Sequence, residues 1–409
     1  MILRESLGKV AGFVIRQQKP FKVNLVRSTI QNFSMSLSQQ YQSIYTLALG
    51  ATPLQLGMVN SIGGIASAVV STPMGWLTGK YGVRRMYLAA TPLWILSALM
   101  FASAQDWVTV IPALFLATLS TRMTLTACSM VCGSYLKSED RATGMQFCDT
   151  ISAMPRLFAP MAAAFLISSF GGLNANGIRP LYFLQAAGLV AMLALVVRWF
   201  YDPLRGGAAS ARSMGFREGL RQVFSEGTRV KTWSLFVSLS SIDMMMSGTY
   251  LSVFAQQHRG ADQFVLGSMA AVSTVVPLLL SLLVGRLADT VGRKKTIMLL
   301  TPLYALSYVL LLIADSPFWL LLSGLFQGFA MLTFITENAM TAELMPLQLL
   351  GSWFGLLGLF RGLASVAGPL LGGFVWSSLN PSAVFYLLIV VGAVKLLLLT
   401  TMPETLRKG

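Results

Sequence analysis

The sequence is short of charge, and shortest of acid. Of its 409 residues 11% are charged, with 15 Asp and Glu against 30 Lys and Arg. A soluble domain carries about a quarter charged residues, so a solvated surface is excluded over most of the chain. The one histidine, His258, falls in a predicted loop and leaves no material for histidine catalysis or a histidine-ligated metal. Three cysteines, Cys128, Cys132 and Cys148, lie in or near apolar stretches. Cys128 and Cys132 share a helix face, but nothing nearby completes a metal set, and all three read as packing residues. No G-x-x-x-x-G-K-S/T sequence occurs, so ATP is not the direct energy source. Strand-like alternation is absent, which argues against a transmembrane barrel. No cofactor and no catalytic set is expected.

What the chain has is length in apolar runs. Apolar residues make up 55% of it, in twelve segments at 22–49, 54–79, 86–104, 107–136, 141–170, 179–201, 230–257, 262–288, 295–314, 317–344, 347–378 and 381–402, numbered here as spans 1 to 12. Each is long enough to cross a bilayer as a helix, and lipid obliges every backbone amide to bond internally. The expected fold is an all-α membrane protein of twelve transmembrane helices. The formal net charge is +15. Its cations gather in short loops on one side, at Lys80, Arg84 and Arg85, at Lys137 and Arg141, along 202–229, and at Arg293, Lys294 and Lys295. That distribution points to a membrane, not to nucleic acid, and places both termini in the cytoplasm. The organisation follows. Residues 1–21 form a cytoplasmic segment that reads as a basic helix on the membrane surface, with an unstructured tail as the alternative. Residues 22–201 are an N-terminal six-helix bundle, 202–229 a cytoplasmic linker, 230–402 a C-terminal six-helix bundle and 403–409 a cytoplasmic tail.

The halves repeat. "GWLTGKYGVRRMYL" from Gly75 and "GRLADTVGRKKTIML" from Gly285 align at a shift of 210. "APMAAAFLISSF" from Ala159 and "GPLLGGFVWSSL" from Gly368 align at 209. Two landmarks in order at nearly one offset indicate an internal duplication. These residues resemble the major facilitator superfamily, over essentially 22–405. The charged knot is similar to the family's signature loop between the second and third helix of each half. Gly285, Asp289, Gly292 and Arg293 match it; so do Gly75, Gly82 and Arg84, where Gly79 replaces the acid. "GPLLGG" resembles the family's glycine–proline motif, and "MPETLRK" the usual close of its twelfth helix. The resemblance implies two pseudo-symmetric six-helix bundles rocking about a midplane site. It also implies that the knots latch the halves on the cytoplasmic side, with the weaker latch in the first half. On the residues alone, Gly285 and Gly292 allow close packing and a tight turn, and the cations anchor the loop.

Charges within spans are costly and are functional candidates by default. Arg122 lies on span 4, Asp149 and Arg156 on span 5, Asp243 on span 7, Glu337 on span 10 and Arg361 on span 11. By helix rise, Arg122, Arg156, Asp243 and Arg361 fall near the midplane, three arginines against one acid. Arg27 is shallow enough to snorkel, and Lys395 also lies within a span. Two pairs, Arg122 with Asp149 and Glu337 with Arg361, join consecutive helices and could be structural staples. Polar residues recur at helical spacing on span 1 (Gln31, Ser38, Gln42, Tyr45), on span 7 (Ser240, Asp243, Ser247, Tyr250) and on span 10 (Thr333, Glu337, Thr341). In the family, helices 1, 4, 7 and 10 line the cavity, so the resemblance puts these stripes and Arg122 on the substrate path. Arg122 is also similar to an arginine of the fourth-helix motif of proton-coupled exporters, although the glycine that follows it there is missing here. The expected function is secondary transport of a small anionic organic solute by alternating access, with Asp243, Glu337 and Asp149 as candidate proton carriers. Drug or lipid export is the alternative, and a transport-inactive sensor or scaffold a third reading. A monomer surrounded by lipid, in the inner or plasma membrane, is expected.

Overall fold

The computed structural model describes residues 18–135, 148, 150–200, 228–345 and 349–404, of which 68–80, 129–130, 132–135, 228 and 350–352 are described by their backbone alone. In the first half, helices α1 (Lys19–Gln39) and α2 (Gln42–Ala48) make span 1, followed by α3 (Pro53–Tyr81), α4 (Val83–Ser103), α5 (Val110–Tyr135), α6 (Pro155–Ser169) and α7 (Ala175–Trp199). In the second half, α8 (Thr228–Arg259), α9 (Gln263–Thr290) and α10 (Arg293–Ile313) are spans 7 to 9. Helices α11 (Pro317–Gln327) and α12 (Phe329–Glu343) together make span 10, and α13 (Leu350–Ser378) and α14 (Pro381–Thr401) complete the bundle. Among the described residues nine helical stretches are long and apolar enough to cross a bilayer. Spans 1, 2 and 7 fall outside that group: serine, threonine and glutamine break up the apolar runs of spans 1 and 7, and 68–80 of span 2 are described by their backbone alone. Asp149, most of the expected linker 202–229 and the tail beyond Glu404 lie outside the described residues.

Three sequence expectations change. His258 is not in a loop but in the last turn of α8, with its ring 5.2 Å from Phe254 and 5.6 Å from Trp376. Span 1 is broken at Gln40–Tyr41, and span 10 at Gln327–Gly328. Gly328 stands at the second break, where a Cβ would collide with the Ser273 carbonyl on span 8. One turn earlier Gly324 lies against the Met269 backbone, so the two spans meet through small residues spaced four apart.

The charged knots close helix ends. Gly82 and Gly292 occupy equivalent places at φ 81° and 117°, where a Cβ is strained. Two residues on, a cation reaches the exposed carbonyls at the C-terminus of the last span of its own half. Arg84 Nη2 donates to Val197 O at 3.0 Å. Lys294 Nζ donates to Thr400 O at 3.1 Å and Met402 O at 2.6 Å. Cations at those carbonyls complement the helix dipole. The second half adds the reciprocal contact, since the Glu404 carboxylate accepts from the amides of Lys294 (3.2 Å) and Lys295 (3.4 Å) at the start of α10. Asp289 pairs with Arg293 at 2.8 Å, and Arg293 with Glu343 at 3.0 Å. All three belong to the second half, so in this conformation the described contacts of the Asp289 knot tie its own half together.

The halves meet with span 2 against span 11 and span 5 against span 8. A Cβ on Gly57 would meet the Pro369 carbonyl; one on Gly267, its equivalent 210 positions on, would meet the Pro160 carbonyl. Among the described residues, four side-chain hydrogen bonds cross between the halves: Tyr41 to Gln263 O, Tyr250 to Pro53 O, Ser61 to Val366 O and Ser268 to Met161 Sδ. All four lie toward the face away from the knots, here called the distal face.

The two motif glycines should therefore behave differently. A Cβ at Gly285 meets nothing within 4 Å, whereas one at Gly292 meets the Glu404 carboxylate in a left-handed backbone. Gly285→Ala is expected to leave thermal stability in detergent unchanged, and Gly292→Ala to lower stability by about 1–3 kcal/mol. Equal melting temperatures for the two variants would contradict the helix-end reading of the knot.

Candidate functional site

The densest polar cluster is in the second half. Asp243 sits midway along α8 and Lys395 on α14, each at least 97% buried as side chains, with Nζ 3.3 Å from Oδ2. Tyr308 donates to the other carboxylate oxygen at 2.6 Å, and its hydroxyl is bonded in turn to that of Tyr304. Tyr304 reaches Ser247 at 3.3 Å; Gln327 donates to the same serine at 2.8 Å and accepts from Ser307 at 2.9 Å. The break in span 10 thus brings Gln327 into the network. One turn of α8 away, Ser240 donates to the buried Glu337 carboxylate at 2.8 Å. Lys395 also faces the Phe236 ring at 5.7 Å.

Around this pair lie the arginines. Arg361 donates to Asn338 at 2.9 Å and stands 5.4 Å from the Phe334 ring centroid. It lies within the fields of Glu337 and, across the two halves, of Arg122. Arg122 is exposed halfway along α5, and its guanidinium has no acceptor among the described residues. Taken with both acids ionised, Asp243, Glu337, Lys395, Arg361 and Arg122 carry a net single positive charge.

The stripes expected from the sequence divide. On span 7, Ser234, Ser238, Ser241 and Thr249 donate to carbonyls of their own helix four residues back. Ser240 and Ser247 instead face other spans. On span 10, Thr333 bonds its own helix, while Thr341 accepts from Trp233 at 2.9 Å. On span 1, Ser38 is buried and donates to Gln185 at 2.6 Å, and the fully buried Tyr45 donates to Phe101 O at 2.7 Å. Tyr250 is fully buried at carbonyls of Pro53 and Pro369. Gln31 takes a hydrogen bond from Arg27, and Gln42 is half-buried. Most of the span 1 stripe therefore packs the first half.

The charges need four corrections. Arg27 does not snorkel: it is 1% exposed, bonded to Asn24, Ser28 and Gln31, with the Tyr87 ring 4.3 Å away. Asp243 is not a lone midplane acid, because Lys395 neutralises it. Glu337 and Arg361 sense each other but form no direct pair, their hydrogen bonds going to Ser240 and Asn338. Arg156 is exposed and donates to Asn32 at 2.7 Å, apart from the second-half cluster. The signal that marked Lys395 was its place as a single cation in "LLIVVGAVKLLLLTT"; a cation so deep in lipid requires an acid partner.

Twelve spans in two like halves, with a charged cluster at mid-depth beside the boundary between them, define the architecture of a secondary transporter. The chain belongs to the Major Facilitator Superfamily, whose sequence profile matches residues 28–260 and 233–409. It is 24% identical over 381 residues to the multidrug resistance protein MdtG of Dickeya zeae, covering 86% of each chain. It is 27% identical to that of Yersinia enterocolitica, covering 88% of this chain and 86% of the other. A solved structure of the nucleoside transporter NupG superposes with a TM-score of 0.81 over 95% of this chain and all of its own, at 16% identity.

Removing one member of a buried ion pair leaves the other uncompensated. Lys395→Met is expected to cost about 3–5 kcal/mol of stability, and Lys395→Met with Asp243→Asn to recover most of it. Thermal unfolding of the purified single and double variants checks this; a double variant no more stable than Lys395→Met would contradict the pairing.

Proposed function

We propose that this chain is a proton-driven exporter of amphiphilic, drug-like solutes, acting as a monomer in the inner membrane with both ends in the cytoplasm. The observation that carries this reading is its likeness, over 86% of both lengths, to a multidrug resistance protein. The buried acids supply what such a machine needs. Asp243 alternates between a carboxylate paired to Lys395 and a neutral acid, and Glu337 is the second proton-bearing group. Lys395 lies in the field of both carboxylates, so a proton on one frees it toward the other. Membrane-buried carboxylates facing such partners are the usual relay groups of transporters.

A second reading, export of organic anions, is favoured by Arg122, whose guanidinium has no acceptor among the described residues and lies within the field of Arg361. A carboxylate or sulfonate on the cargo would complete both arginines.

The two readings separate in proteoliposomes given an acid interior, with ethidium as a lipophilic cation and fluorescein as an organic anion. The exporter reading expects gradient-driven ethidium uptake that survives Arg122→Ala. If the gradient drives fluorescein alone, and Arg122→Ala abolishes that flux, the anion reading replaces it. Flux of neither, with a correctly folded protein, would contradict both.

A further inference from the structure

Two tyrosines stand at equivalent places at the boundary between the halves. Tyr41 lies at the break in span 1, and Tyr250, 209 positions on, within α8; both are 0% exposed. Each hydroxyl faces two backbone carbonyls, one in each half. For Tyr41 they are Pro160 O at 3.2 Å in its own half and Gln263 O at 2.9 Å across the boundary. For Tyr250 they are Pro369 O at 2.9 Å in its own half and Pro53 O at 3.0 Å across it. Pro160 and Pro369 are equivalent at the same 209 offset, and Pro53 and Gln263 at 210. Gly57 and Gly267 complete each arrangement, since a Cβ on either would meet the opposing hydroxyl as well as the proline carbonyl.

A phenol has one proton, so it cannot satisfy both carbonyls fully. It donates across the boundary when the halves are together and keeps the acceptor of its own half when they part. A buried donor left without an acceptor is costly, and the proline carbonyl removes that cost from the opening step. The geometry points to Tyr41 and Tyr250 as paired positioning residues of transport: two-position clasps that hold the distal face shut and release it without stranding a hydroxyl. This assignment does not depend on the cargo or on proton coupling.

Because each phenol keeps one acceptor on opening, replacing it removes only the share made across the boundary. Tyr41→Phe and Tyr250→Phe should each raise the open-to-closed ratio about 2- to 5-fold, and the double variant by roughly the product. The readout is the labelling rate of Ser61→Cys, a 3% exposed position between the halves, by a water-soluble maleimide. Cys128, Cys132 and Cys148 are replaced by serine throughout, and the rate follows the open population even when it is small. Tyr45→Phe is the control, since it removes a buried tyrosyl hydrogen bond made within one half, to Phe101 O at 2.7 Å. Faster labelling in both clasp variants, with no change in Tyr45→Phe, supports the assignment. Unchanged rates in both, or an equal rise in Tyr45→Phe, would overturn it.

Discussion

A polar group inside a bilayer has no water to bond, and it must find its partner in the protein. That constraint organises the whole chain. Serines and threonines on the spans bond the preceding turn of their own helix, as Ser234, Thr249 and Thr333 do. Arginines and lysines at the loops close helix C-termini: Arg84 and Lys294 at spans 6 and 12, Arg179 and Arg259 at spans 3 and 9. The deep cations find acid or amide partners, Lys395 at Asp243 and Arg27 at Asn24 and Gln31. Against that background, Arg122 stands out as an exposed guanidinium with no acceptor among the described residues.

The duplicated halves use the constraint differently. Ser34 and Gln185 of the first half occupy the places of Asp243 and Lys395 in the second, at offsets of 209 and 210. Where the second half carries a buried ion pair, the first has neutral side chains, with Gln185 bonded to Ser38 at 2.6 Å. The first half keeps its buried cation elsewhere, at Arg27, held by neutral dipoles and an aromatic ring. Among the described residues the buried acids, Asp243 and Glu337, both lie in the second half, while the contacts that hold the halves together are nearly symmetric. Such a division suits a machine in which one half carries the proton and both halves move.

Much of the fold was legible because hydropathy measures the property that the bilayer selects. The spans, the halves and the two landmarks of the repeat follow from apolar length and spacing, and Gly82 and Gly292 carry the positive φ that a tight turn at those places implies. The site was less legible. A stripe of Gln31, Ser38 and Tyr45 looks the same in sequence whether it lines a cavity or bonds the next helix, and here Ser38 and Tyr45 pack the first half. Depth along a helix gave the midplane charges but not their partners. Lys395 is 152 positions from Asp243, a separation that no local pattern encodes. The break at Tyr41 has no glycine or proline to announce it; its hydroxyl is fixed by carbonyls on spans 5 and 8.

The central claim is that Asp243, paired with Lys395, carries the proton that exchanges for cargo. It is tested most directly by recording internal pH with a trapped dye in acid-loaded, inverted vesicles while ethidium is added. The account predicts ethidium-driven proton release from wild-type vesicles. It predicts none from Asp243→Asn, which should still exchange labelled for unlabelled ethidium at equilibrium. Proton release from Asp243→Asn at the wild-type rate would contradict it.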